Sequence, residues 1–136
     1  MKKTIYSILK ECSEGKTPKE RVVRLQRSAN PAMLLILKYA FDPNIKFLLP
    51  EGDPPYKPCE FVDQEGRLYA EAKKLYLYVE GGNPNLTKLK RESLFIQLIE
   101  SVDKNDATLL CSVKDKKLPF KSLNQSIIKQ AFPDLF

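Results

Sequence analysis

Twice in its first third the sequence writes the same helix start, a capping side chain followed at once by proline: Thr17-Pro18, then Asn30-Pro31. Thr and Asn side chains accept hydrogen bonds from the free amides of a first helical turn. Proline at the first helical position loses nothing, because an N–H there would be unpaired anyway. Apolar residues at helical spacing surround both starts. Ile5, Ile8, Leu9 and Cys12 follow i, i+3, i+4, i+7, and Gly15 stops that first stripe. Val22, Val23 and Leu25 give the second helix a short apolar stripe beside Lys19, Arg21, Arg24 and Arg27. Met33, Leu34, Ile36, Leu37, Ala40 and Phe41 make the third apolar nearly all round, which predicts a central position. Asp42-Pro43 ends it.

Helical spacing returns at Leu68, Ala72, Leu75 and Val79. After the turn Gly81-Gly82-Asn83-Pro84, a fifth helix is expected from about Thr87 to Val102. A sixth follows, capped by Asp103 and carrying Ala107, Leu110, Cys111 and Val113. A last helix buries Leu123, Ile127, Ile128 and Ala131, with Ser122 and Gln125 as a capping box. Between helices three and four, residues 43–66 hold five prolines and no lasting period. They read as an ordered loop anchored by Phe47, Leu48, Leu49, Tyr56 and Phe61. Tyr76-Leu77-Tyr78-Val79 has strand propensity, but no segment keeps a period of two. The expectation is an all-α fold: one domain, residues 1–136, a compact bundle of six to seven helices with one long Pro-rich loop (43–66).

At 136 residues the chain is long enough to bury a core unaided. Its longest apolar stretches, such as Met33–Leu37, are too short to span a bilayer, and the first residues lack the apolar run of a signal peptide. A cytoplasmic protein, bacterial or of an infected cell, is expected. Cys12, Cys59 and Cys111 are widely spaced and odd in number, which argues against a disulfide framework. The sequence contains no histidine, so the commonest general base is missing, and with no C-x-x-C pair a zinc site is not expected. No phosphate-binding glycine loop and no G-x-S-x-G elbow is present. The chain is expected to be no enzyme and to need no cofactor or metal.

The net charge of +6 is unevenly spread. Residues 1–30 carry eight Lys/Arg against three acids, residues 31–102 nine against ten, and residues 103–136 six against four. Basic character at both ends of a chain suggests a polyanionic partner; a solvated basic face is the plainer alternative.

Several local patterns join this charge. Ile5-Tyr6-Ser7-Ile8-Leu9 is followed by a turn at Gly15, and Phe41-Asp42-Pro43-Asn44-Ile45-Lys46-Phe47 closes a helix into an extended aromatic segment. Lys114-Asp115-Lys116-Lys117-Leu118 leads to a helix from Ser122 to Gln130 and then to Phe132-Pro133-Asp134-Leu135. In these patterns and in element order the chain resembles the N-terminal DNA-binding domain of phage-type ATP-dependent DNA ligases. The resemblance implies a helical bundle that grips duplex DNA from the minor-groove side. The chain departs from the family in two ways. Pro119-Phe120-Lys121 stands where a glycine usually lets backbone approach a phosphate. The adenylate-carrying lysine motif of the catalytic core is missing.

The expected function is therefore that of a non-catalytic, duplex DNA-binding accessory protein of a phage. The expected contacts are Lys114, Lys116, Lys117 and Lys121 around the last loop, with Lys88, Lys90 and Arg91 at the start of the fifth helix. Ser122, Asn124 and Gln125 would add polar groups at the start of the last helix. The basic face of the second helix, Lys16, Lys19, Arg21, Arg24 and Arg27, is either a second phosphate contact or a solvated face. The alternative function is a protein–protein adapter or structural part of a phage assembly, suggested by Tyr56, Phe61, Tyr76 and Tyr78. The tail Asp134-Leu135-Phe136 either docks into a sliding clamp or closes the bundle.

Overall fold

A computed structural model describes residues 3–59 and 66–136. Phe61, expected as a loop anchor, lies outside the described residues. The chain is an all-helical bundle: α1 (Ile5–Ser13), α2 (Pro18–Ser28), α3 (Pro31–Phe41), α4 (Arg67–Glu71), a 3₁₀ segment (Ala72–Tyr78), α5 (Lys88–Ser101), α6 (Lys104–Lys114) and α7 (Gln125–Ala131).

Local chemistry explains where most of these helices begin. Thr4, Thr17, Asn30, Thr87, Asp103 and Asn124 each accept a backbone N–H from the first turn of the following helix. Each such cap is worth about 1 kcal/mol. The capping box expected at Ser122 and Gln125 does not form. Asn124, with an extended backbone, takes the cap and accepts from the Ile127 amide at 3.0 Å. That frees Ser122 and Gln125 for longer-range bonds.

The helix expected over 68–79 splits in two. Leu68 and Ala72 are four apart, as an α-helix requires, but Ala72, Leu75 and Tyr78 are buried at steps of three. A 3₁₀ helix has three residues per turn, so this spacing stacks all three on one face. Tyr78 then meets Phe95 of α5 edge-on, with ring centroids 5.4 Å apart. Val79 has left the helix and forms an isolated antiparallel bridge with Phe47. Leu48 donates to the Tyr78 carbonyl and Glu80 to the Lys46 carbonyl, both at 2.8 Å. This short pairing pins the long loop to the bundle. Phe47, Leu49 and Tyr56 pack on the core as expected, while Leu48 is half-buried and held through its backbone.

The core has two central helices. α3 buries Ala32, Met33, Ile36, Leu37 and Ala40. α6 buries Ala107, Leu109, Leu110, Cys111 and Val113 on several faces and packs against α1, α3 and α5. Cys12 and Cys111 are buried free thiols. Burial pushes both up from the ordinary value, Cys111 to about 11, so neither is a ready nucleophile. Asp106 is fully buried on α6 and accepts the Tyr6 amide at 2.9 Å, which locks α6 to the first turn of α1. Leu135 and Phe136 pack against the core from the end of the chain. No helix of the described residues is long and apolar enough to cross a membrane.

Candidate nucleic-acid interface

α6 ends in a tight reversal. The Lys116 amide donates to the Val113 carbonyl at 2.9 Å and the Lys117 amide to the Ser112 carbonyl at 3.1 Å. These paired bonds form a Schellman motif, whose key residue is left-handed and most often glycine. Here it is Lys116, with φ of 62°. The left-handed turn sends its side chain inward. Its ammonium donates to the carbonyls of Tyr39 at 2.7 Å and Asp42 at 2.8 Å, closing the C-terminus of α3. Burial pushes its pKa below the ordinary lysine value, and Asp42 offsets part of that.

Lys114 is also inward. It is 5 % exposed and donates to the Pro50 carbonyl and to Asp115, both at 2.7 Å. It tethers the long loop to the end of α6. Arg91 is 9 % exposed, and its guanidinium donates to the Leu86 carbonyl at 2.9 Å. Three of the seven expected cationic contacts thus point into the protein and serve the fold. Lys88, Lys90, Lys117 and Lys121 are exposed. They do not gather in one place, because α5 packs chiefly on α6 and the 3₁₀ segment, whereas α7 packs on α2.

The polar residues at the start of α7 hold the loop in position. Asn124 is the cap. The Gln125 side-chain amide donates to the Phe41 carbonyl at 3.1 Å. The Ser122 hydroxyl donates to the Ser13 carbonyl at 2.9 Å, joining the last loop to the end of α1. Two residues earlier in that loop, Phe120 packs its ring on Tyr6, 5.1 Å between centroids. Tyr6, Lys10 and Ser13 stand at i, i+4 and i+7 on one face of α1, so residues 120–122 run along that line.

These contacts assemble cations that are far apart in sequence. Lys121 lies beside the α1–α2 turn, which carries Lys16 and leads into Lys19; Lys10 is one turn back on α1. All four are exposed, and among the described residues none has an ion pair. Glu14 is the exposed acid of the same turn; Glu20 is engaged by Arg24 and by the Lys16 amide. Arg21 and Arg24 turn aside, donating to the Gly15 and Glu11 carbonyls. The Gln26 side chain donates to the Ala131 carbonyl at the far end of α7. With Ser122 near Ser13 and Ala131 near Gln26, α7 runs beside α2 in the same direction. Both helices start at this end, capped by Thr17 and Asn124, and the positive end of each dipole faces the same side as the lysines, that of α2 offset by Glu20 in its first turn.

Lys16 and Lys19 are part of the basic face legible in the second helix, but Lys10 carries no sequence signal of its own. Only its i+4 relation to Tyr6, read together with the Phe120 contact, could have marked it.

Residues 8–119 match a family of unknown function, DUF6433, and the chain belongs to that family. No curated protein and no solved structure matches the chain.

Proposed function

We propose that this protein is a non-catalytic accessory factor that binds duplex DNA with little sequence preference. Its contact surface is the end of the bundle where α1 finishes and α2 and α7 begin. The observation that supports this reading is the Ser122–Ser13 bond, because it holds the loop that carries Lys121 against the end of α1, next to the turn that carries Lys16, with Lys10 on α1 and Lys19 on α2 flanking that turn. A fixed set of solvated ammonium groups beside two helix starts suits a row of phosphates, each neutralised phosphate releasing counterions. The cations of this surface are lysines, which meet phosphates as point charges, so affinity is expected to come from the backbone of the duplex. The resemblance to ligase DNA-binding domains supports the same partner and suits a phage protein, with the cytoplasm, bacterial or of an infected cell, as its expected place. The contact set differs from the one the sequence suggested: Lys121 stays, Lys16 and Lys19 come from the basic face already read in the second helix, and Lys10 is added; Lys114, Lys116 and Arg91 point inward, and the exposed Lys88, Lys90 and Lys117 are not part of this set.

The test is an electrophoretic shift of a duplex of about 30 base pairs at low salt, where a backbone-driven complex is strongest. Wild type and Lys114→Gln are expected to shift it alike if both fold, and Lys121→Glu is expected to shift it less. A wild-type protein that leaves the duplex unshifted would remove the proposal.

A further inference from the structure

The start of α5 is charged against its own dipole. A helix N-terminus carries roughly half a positive charge and favours acids in its first turn. The first turn of α5 holds no acid, and Lys88 and Lys90 are exposed there. Between them Leu89 projects into solvent, 79 % exposed; only Tyr76 shares its status as an exposed large apolar side chain among the described residues. An acidic surface with an apolar hollow would relieve both misplacements at once.

Such a surface lies one turn further along the same helix. A cleft of about 410 Å³ opens between α5 and the long loop, walled by Leu49, Pro54, Pro55, Phe95 and Ile96. Glu51, Asp53 and Glu92 also line it; the cation in its lining, Lys114, is already engaged by Asp115 and the Pro50 carbonyl, and no ion pair among the described residues neutralises the three acids. Leu89, Glu92 and Ile96 stand at i, i+3 and i+7, so the projecting leucine and the cleft share one face of α5. A surface that carries both a feature and its complement is what a two-fold interface requires.

We propose that this face binds a second copy of the chain. The two α5 helices cross antiparallel, and each Leu89 enters the other molecule's cleft beside Ile96. That register puts the two-fold axis between Glu92 and Ser93. Lys88 and Lys90 then face the acids of the opposite rim, which supply the negative charge missing from the start of α5. The patch is small, so the association is weak, with a dissociation constant on the order of 10–100 µM. None of Lys10, Lys16, Lys19 or Lys121 belongs to it, so dimer formation and DNA binding stand or fall separately.

Sedimentation velocity of the full chain over a concentration series tests this. The expected result is a monomer–dimer equilibrium that Leu89→Ser weakens at least about ten-fold while leaving the circular dichroism unchanged, as befits an exposed side chain. Charge reversal supplies the specificity control. The variants Lys88→Glu/Lys90→Glu and Glu51→Lys/Asp53→Lys are each expected to be monomeric alone and to associate when mixed. A chain that stays monomeric throughout the series overturns the proposal. So does a dimer that Leu89→Ser leaves intact, or a mixture that associates no better than its parts.

Discussion

Lys116 closes the C-terminus of α3: its ammonium donates to the Asp42 carbonyl at 2.8 Å, across 74 residues of sequence. The same side chain holds the Tyr39 carbonyl, so one lysine satisfies two carbonyls of a helix end. A lysine that looks like a phosphate contact in the sequence is thus a strut between α3 and the α6–α7 loop.

Two substitutions separate its side chain from its backbone. Lys116→Ala removes the charged bonds yet keeps a Cβ at φ of 62°. It is expected to cost about 2–3 kcal/mol, because hydrogen bonds to charged groups are the strong ones. Lys116→Gly loses the same bonds but relieves the left-handed strain, so it is expected to be milder by about 1 kcal/mol. Urea denaturation of the two variants checks the order, and neither variant should alter DNA affinity once folded.

The turn before α5 makes a sharper contrast between adjacent glycines. A Cβ on Gly82 would run into the Tyr76 carbonyl, whereas one on Gly81 meets open space. Gly81 has a φ of 82°, so Gly81→Ala is expected to cost about 1 kcal/mol from backbone strain alone. Gly82→Ala must push the end of the 3₁₀ segment off the bundle and is expected to cost several times as much. Thermal melting monitored by circular dichroism ranks them.

Alkaline pH should weaken the fold through buried groups that resist ionisation. Burial, aided by Asp53, raises the Cys111 thiol from 9.0 to about 11, and burial raises the Tyr78 phenol from 10.0 to about 12. A group whose folded pKa lies above its unfolded value stabilises fully below the unfolded pKa and loses that contribution as pH rises through the folded one. Stability is therefore expected to fall from pH 9 to pH 11 through Cys111 and from pH 10 to pH 12 through Tyr78. Lys116, held below its ordinary value, acts in the opposite sense. The thiol's share is on the order of 2 kcal/mol, and Cys111→Ala should flatten the decline between pH 9 and pH 11. Urea midpoints measured in that window for both proteins check it.

The helices were legible because their signals are local. Thr17, Asn30, Thr87 and Asp103 cap helices a few residues away, and the stripes that follow need no partner to be recognised. The error at 68–79 has the same origin, since steps of three and four look alike over one turn, and only the stacking of Ala72, Leu75 and Tyr78 separates 3₁₀ from α. The proposed interface was harder to read. Whether a lysine faces water depends on carbonyls that its sequence neighbours do not reveal: Pro50 for Lys114, Tyr39 and Asp42 for Lys116. Charge counts along the sequence weigh all lysines equally. The fold spends some of them on helix ends and leaves others, such as Lys121, in solvent.

The salt dependence of duplex binding addresses the central claim most directly. Fluorescence anisotropy on a labelled duplex over a potassium chloride series gives the slope of log affinity against log salt. Four phosphate contacts imply a slope of about −3 to −4 for wild type. Lys16→Glu/Lys19→Glu/Lys121→Glu is expected to bind at least about ten-fold more weakly with a shallower slope. No binding by wild type at the lowest salt, or a triple variant with the wild-type affinity and slope, would contradict the account.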